Sequence, residues 1–386
     1  MTANDEAPSE RAEVTPERRQ AAVRGAERLL ADQPLFTPIG VRLADLAARA
    51  ADVVGPEQRP DMYGDGVVAA LEERVAEVLG KEAAAFFPTG TMAQQVALRS
   101  WAGRTGNATV ALHPLAHPEV HERDALQVVS GLRVVHPTHE PRMPTADEVR
   151  DFEEPFGTLM LELPLREAGF ALPTWQELEA TVAAARERDA VVHFDGARLW
   201  ECTSHFGRPL DEIAALADTV YVSFYKSLGG LGGAALAGPS TLVEEAKAWR
   251  HRYGGQVFQQ FPTAVSALLG LEHVLPRLPE YVDHARVVAD ALHEGFQEAG
   301  LPWFRVRPER PYTHQFQVWL PYDADMLTEA SVRQAEETRT LLFGRWFADG
   351  PHGLSVTEVT VGEPGLGWMA ADVKAAVADF LARLPR

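Results

Sequence analysis

VVHFDGARLW (residues 191–200) and TVYVSFYKSLGGLGGAALAGP (residues 219–239) decide the reading of this chain. Each opens on a short apolar run rich in β-branched residues. The first run ends in Asp195-Gly196-Ala197-Arg198. The second, Thr219 to Phe224, ends at Tyr225-Lys226 and breaks into glycines. A connection of roughly 20 residues between two such runs predicts parallel strands. Neighbouring parallel strands deliver their C-terminal ends to one crevice, so Asp195 and Lys226 are expected to meet there. A lysine amine and a carboxylate so placed are the two contacts that pyridoxal phosphate (PLP) needs. The amine forms the Schiff base with its aldehyde, and the carboxylate keeps the ring nitrogen protonated.

Composition bounds the rest. The chain has 386 residues, 46% of them apolar, with 8 Trp and 17 Phe, which is ample for a large core and long for one domain. The net charge of −19 argues against nucleic acid and against anionic membrane surfaces; the acidity reads as solubility. The one cysteine, Cys202, excludes an internal disulfide and a cysteine-based metal cage, and fits a cytoplasmic setting. The opening MTANDEAPSE has no apolar core for a secretion signal. No run of about 18 apolar residues is present, so no membrane partner is expected.

Along the chain, residues 1–15 are expected to be disordered and Glu17 to Gln33 has helical spacing. Tyr63-Gly64-Asp65-Gly66 is turn chemistry before a helix, Val68 to Leu79, ended by Gly80. Ala83 to Phe87 reads as a strand, Pro88-Thr89-Gly90-Thr91 as a tight turn, and Met92 to Trp101 as a helix. A small-residue turn entering a helix presents free backbone N–H groups, which suits a phosphate. Gly90 allows close approach, and the Thr91 hydroxyl adds a donor. His113, His117 and His121 are spaced by four, but Pro114 and Pro118 disfavour a regular helix there, and no ligand set completes a metal site. Thr158 to Leu163 reads as a strand. The helix from Thr174 to Arg188 carries a capping box with Glu177. The glycines after Lys226 lack the Gly-Lys-Ser/Thr of a nucleotide loop, and serve to turn the chain back. Strand, helix, strand, helix then follow to the end, a small α+β unit. The expected division is 1–15, then 16–270 with an N-terminal helix and the PLP-binding domain, then 271–386.

HFDGARLW and the SFYKSLGG lysine resemble the signature of the threonine aldolase and β-eliminating lyase family, PLP enzymes of fold type I, the aspartate-aminotransferase fold. The similarity runs from about Met62 to Gln259 and continues weakly to the end. Asp195 stands 31 residues before Lys226, and the Thr89-Gly90-Thr91 turn falls where that family holds the phosphate. The resemblance implies an α/β fold with a mostly parallel central sheet flanked by helices, plus a small α+β C-terminal domain, in a homodimer or homotetramer. It implies that Lys226, His117 and Asp195 are catalytic. Lys226, Asp195, His117, Thr89, Gly90, Thr91 and Arg198 would hold the cofactor, with His117 stacked on the ring and Glu122 supporting it. Arg198, Tyr63 and Arg166 are the candidate substrate contacts. The chain departs from the family at three positions. Leu165 replaces a histidine that handles the substrate hydroxyl, Phe258 replaces an arginine near the phosphate, and Ser355 replaces the arginine that grips the substrate carboxylate.

The expected function is a PLP-dependent lyase that cleaves a β-hydroxy-α-amino acid by retro-aldol reaction or eliminates a β-substituent, and that is poor with free threonine. Leu165 would line an apolar pocket for a larger side chain. The alternatives are a transaminase, racemase or transaldolase on the same cofactor, or a PLP-binding sensor without turnover.

Overall fold

The computed structural model describes residues 14–31, 36–348 and 352–385. Residues 1–13 of the expected disordered stretch lie outside the described residues, and Thr15 already caps the first helix. Thirteen strands occur among the described residues: β1 (Arg28–Leu29), β2 (Ala83–Phe87), β3 (Thr109–Ala111), β4 (Arg133–Val135), β5 (Thr158–Glu162), β6 (Val191–Gly196), β7 (Thr219–Ser223), β8 (Ala234–Gly238), β9 (Arg305–Arg307), β10 (Gln315–Leu320), β11 (Thr340–Leu341), β12 (Phe347–Ala348) and β13 (Ser355–Thr360).

The chain divides into two compact units. The larger holds residues 38–283 and 311–316. Its seven-stranded sheet has the order β2-β8-β7-β6-β5-β3-β4. Strands β7, β6, β5, β3 and β4 are mutually parallel, and β8 runs antiparallel to both β7 and β2. The exception has a physical cause. Only residues 224–233 separate β7 from β8, too few for the crossover that a parallel return requires. The glycines of this short return therefore turn the chain back, and Lys226 sits within it. Every residue of β5, β7 and β8 is buried, as expected of a sheet covered by helices on both faces. The helix Gly90–Thr105 packs on it through Ala93, Val96, Ala97 and Trp101, against Phe87, Tyr221 and Leu236. Burying a side chain the size of Phe87 or Leu236 contributes about 1.5–3 kcal/mol.

The smaller unit holds the described residues up to Thr37, with 284–310 and 317–385. Its four-stranded sheet has the order β12-β13-β10-β9. The N-terminal helix spans Pro16–Gly25, not Glu17 to Gln33. It stops because the next residues pair elsewhere: β1 lies parallel to β11, with Arg28 opposite Thr340. From this helix, Arg18 ion-pairs with Glu329 and Glu336. This helix therefore groups with the C-terminal unit, and the boundary between the two compact units falls inside the helix Leu278–Glu298. No described helix is long and apolar enough to cross a membrane.

Candidate active site

The C-terminal ends of β5, β6 and β7 lie side by side. Glu162 is opposite Asp195, and Asp195 is opposite Tyr221. Register partners on neighbouring strands face the same side of a sheet, so these three side chains form a row. Gly196 follows because nothing larger fits. A Cβ there would come within 2.7 Å of the Tyr221 carbonyl oxygen. Two residues before Asp195, on the same face, His193 is fully buried. Its Nδ1 lies 2.8 Å from Thr219 Oγ1 and its Nε2 lies 2.7 Å from Gln94 Oε1. Burial pushes this imidazole down to about 3, so it is a neutral support beneath the carboxylate.

Asp195 Oδ1 accepts the Ala197 N–H at 3.1 Å. Burial pushes its pKa up, opposed by the nearby Lys226 charge. Lys226 itself is pushed down to about 8, first by burial and then by the Arg198 guanidinium. A lowered lysine pKa provides more of the neutral, nucleophilic amine. Glu162 is pushed up to about 7 by burial and by Asp195 beside it. Its two oxygens accept the backbone N–H groups of His117 at 2.7 Å and Arg166 at 3.2 Å. Glu162 thereby ties the end of β5 to the head of the segment carrying His117.

That segment is a short helix, His117–His121, against the expectation from its prolines. Pro118 falls in the first turn, where a missing N–H is harmless. His117 Nδ1 lies 3.1 Å from Glu122 Oε1, and the other Glu122 oxygen is buried without a partner. The His117 and His121 rings are 5.2 Å apart, whereas His113 is turned to the Glu140 carbonyl at 2.6 Å. No cluster of potential metal ligands occurs among the described residues.

The helix after β2 begins at Gly90, two residues earlier than expected. Thr89 is its N-cap and accepts the Met92 N–H at 3.2 Å, so Gly90 and Thr91 form its first turn with their N–H groups free of intrahelical partners. Of the substrate candidates, Arg198 is the available one. Among the described residues it pairs with no carboxylate, its Nε is buried without a partner, and its guanidinium lies 5.5 Å from the Phe170 ring. Arg166 is engaged with Glu167 and lies 3.3 Å from His121 Nε2. Tyr63 is half-exposed. Its N–H donates to the Phe258 carbonyl at 2.9 Å, and its ring meets the Phe258 ring edge-on. No contact among the described residues joins Tyr63 to the Lys226 group.

Leu165 does not line a pocket. It is fully buried, exchanging backbone hydrogen bonds with Ala171 in its own tight loop. In the smaller unit, Ser355 is buried and its hydroxyl donates to the Tyr322 carbonyl at 2.8 Å. A buried chain beside Lys226 was not anticipated from the sequence: Ser227 Oγ donates to Glu201 Oε1 at 3.2 Å, and Glu201 Oε2 lies 2.7 Å from His314 Nε2. The available signal was a charged residue, Glu201, in an apolar stretch just past Arg198.

The profile of the family described as "Beta-eliminating lyase" matches residues 47–318. The low specificity L-threonine aldolase of Escherichia coli K12 is 31% identical over 241 residues, covering 61% of this chain and 72% of the relative. A solved structure from Listeria monocytogenes EGD-E, provisionally assigned as an L-allo-threonine aldolase, superposes with a TM-score of 0.85 at 33% identity, covering 95% of this chain and 99% of the other. One from Exiguobacterium sp. 255-15, provisionally assigned as an aromatic amino acid β-eliminating lyase/threonine aldolase, gives 0.84 at 33% identity, covering 95% and 100%. The chain thus belongs to the β-eliminating lyase family, and is a PLP-dependent aldolase/lyase-type enzyme of fold type I.

Proposed function

We propose that this enzyme cleaves the Cα–Cβ bond of a β-hydroxy-α-amino acid or eliminates its β-substituent, and that its preferred substrate is not free threonine. The observation that carries the reading is the meeting of Lys226, with its lowered pKa, and buried Asp195 beside an Arg198 that pairs with no carboxylate among the described residues. The residues present fit the cofactor: an amine, a facing carboxylate, a helix head with free N–H groups and an orphaned guanidinium nitrogen make up its donor set. When bound, PLP supplies an electron sink in conjugation with the substrate amine.

The chain's own groups do the rest. Lys226 would hold the cofactor, and its amine would move the proton at the substrate Cα. Asp195 would keep the cofactor's ring nitrogen protonated. The head of the helix Gly90–Thr105, with Thr89 and Thr91, takes the phosphate. His117, oriented by Glu122, would cover the ring and act as the base for the β-hydroxyl proton. Arg198 binds the α-carboxylate, and its fixed angle orients the scissile bond. With Ser355 in place of an arginine, one charge-assisted contact is lost, on the scale of about 1.5–3 kcal/mol. A small substrate such as threonine has little other surface to offset that.

We further propose a cytoplasmic homo-oligomer. The support is the single cysteine and, for assembly, the helix Ile39–Arg49, which has no buried residue and carries Ile39 and Leu43 exposed. A second copy of the chain is the occupant that the family resemblance implies for this face.

The test is a panel of β-hydroxy amino acids, from threonine to aryl- and alkyl-extended members, with products and kcat/KM recorded. Glycine plus aldehyde is expected, with an extended substrate at least tenfold better than threonine. Keto acid and ammonia would indicate elimination. Amino-group transfer, racemisation or no turnover at all would reject the reading, and threonine as the best substrate would reject its finer part.

A further inference from the structure

Tyr221 stands on β7 directly opposite Asp195 of β6. It lies on the same face of the sheet, one strand nearer to β8 and β2. The turn that ends in Gly90 follows β2. The phenol is only 3% exposed, packed among Phe87, Ala93 and Ala197. Its hydroxyl reaches the first residue of the helix Gly90–Thr105, and a Cβ built on Gly90 would fall 2.1 Å from Tyr221 Oη. Gly90 is therefore required by this hydroxyl. Among the described residues, no hydrogen bond to Oη is seen, and Oη is not one of the fully enclosed atoms left without a partner, so a ligand can reach it. A mostly buried phenol is favoured where such a partner is supplied. This one lies where the helix presents its free N–H groups and the positive end of its dipole.

We propose that the Tyr221 hydroxyl donates a hydrogen bond to the cofactor phosphate at the head of the helix Gly90–Thr105. The proposal rests on the reading that this site takes PLP. The geometry explains the choice of phosphate over ring. Asp195 marks the end of the site that faces the ring nitrogen, the helix head marks the opposite end, and Oη touches the latter. Burial holds the phenol well above its ordinary range, so the group stays protonated and can act only as a donor toward a phosphate oxygen. Unlike an arginine or lysine, it adds a directed bond without adding charge beside Lys226 and Arg198, both already cationic.

The experiment compares the cofactor-free wild-type protein with Tyr221→Phe, each titrated with PLP and with pyridoxal, which has the same ring and aldehyde but no phosphate. Binding is read by visible absorbance and equilibrium dialysis. Phenylalanine keeps the ring that packs under the helix, and the pyridoxal titration reports whether the site is intact. The expected result is a loss of about tenfold or more in PLP affinity, on the scale of a hydrogen bond to a charged acceptor, with pyridoxal affinity equal in the two proteins. An equal loss for both ligands would assign the hydroxyl to the ring or to packing, and no loss for either would assign it no contact. Either outcome overturns the proposal. A wild-type protein that binds no PLP would instead overturn the cofactor reading itself, which the first titration shows separately.

Discussion

Glu162 and Asp195 place two carboxyl groups next to each other at the ends of β5 and β6, and this pair sets a pH dependence. In an unfolded chain a glutamate titrates near ~4.3. In the fold, burial and Asp195 raise Glu162 to about 7. The folded form keeps this proton where the unfolded form has lost it. That contribution to stability is fully present below the unfolded value and is lost as pH rises through the folded one. Glu162→Gln removes the titration. The stability of the variant relative to the wild type should therefore grow by on the order of 2 kcal/mol between about pH 5 and 8, then level off. Urea unfolding of the cofactor-free proteins across that range checks it, and a difference independent of pH would contradict it. Asp195, Lys226 and His117 could be proposed from the sequence because each sits in a motif whose chemistry is local. Glu162, His193 and Tyr221 could not. Their placement beside Asp195 arises from cross-strand register, and a shift of one residue would turn each of them to the other face.

At the scale of elements, most boundaries followed from local chemistry. The box of Thr174 and Glu177 does cap the helix Trp175–Glu187, and the strand expected at Ala83 to Phe87 is β2 itself. The misreadings came from long-range pairing and from position. The N-terminal helix ends early because β1 finds β11, distant in sequence. Pro118 begins a helix because it falls in the first turn. The helix Ile39–Arg49 poses the opposite case, a strongly one-sided apolar pattern left largely open: Ile39 is 77% and Leu43 54% exposed. If a second copy covers this face, Leu43→Glu should weaken self-association at least tenfold, since burying an unpaired charge is strongly unfavourable. Sedimentation across a dilution series reads this directly. A wild-type protein that is already monomeric, or a variant that associates as tightly, would refute it.

At the scale of the whole molecule, the sheet order explains why one crevice gathers the chemistry. The parallel run β7-β6-β5 brings three strand ends together, and the short return to β8 leaves Lys226 in a loop too brief to wander. The expectation that Asp195 and Lys226 share one crevice came from two stretches of sequence. The grouping of the first described residues with the last depends on long-range pairing that no local stretch carries. The central claim is that Lys226 carries the cofactor. Wild type and Lys226→Ala, each incubated with PLP and reduced with borohydride, are compared by intact mass and peptide mapping, with thermal melts to confirm folding. The account predicts a single pyridoxyl group on the Lys226 peptide of the wild type and none on the variant. A pyridoxyl group on another lysine of the wild type, or undiminished labelling of a folded Lys226→Ala, would contradict it.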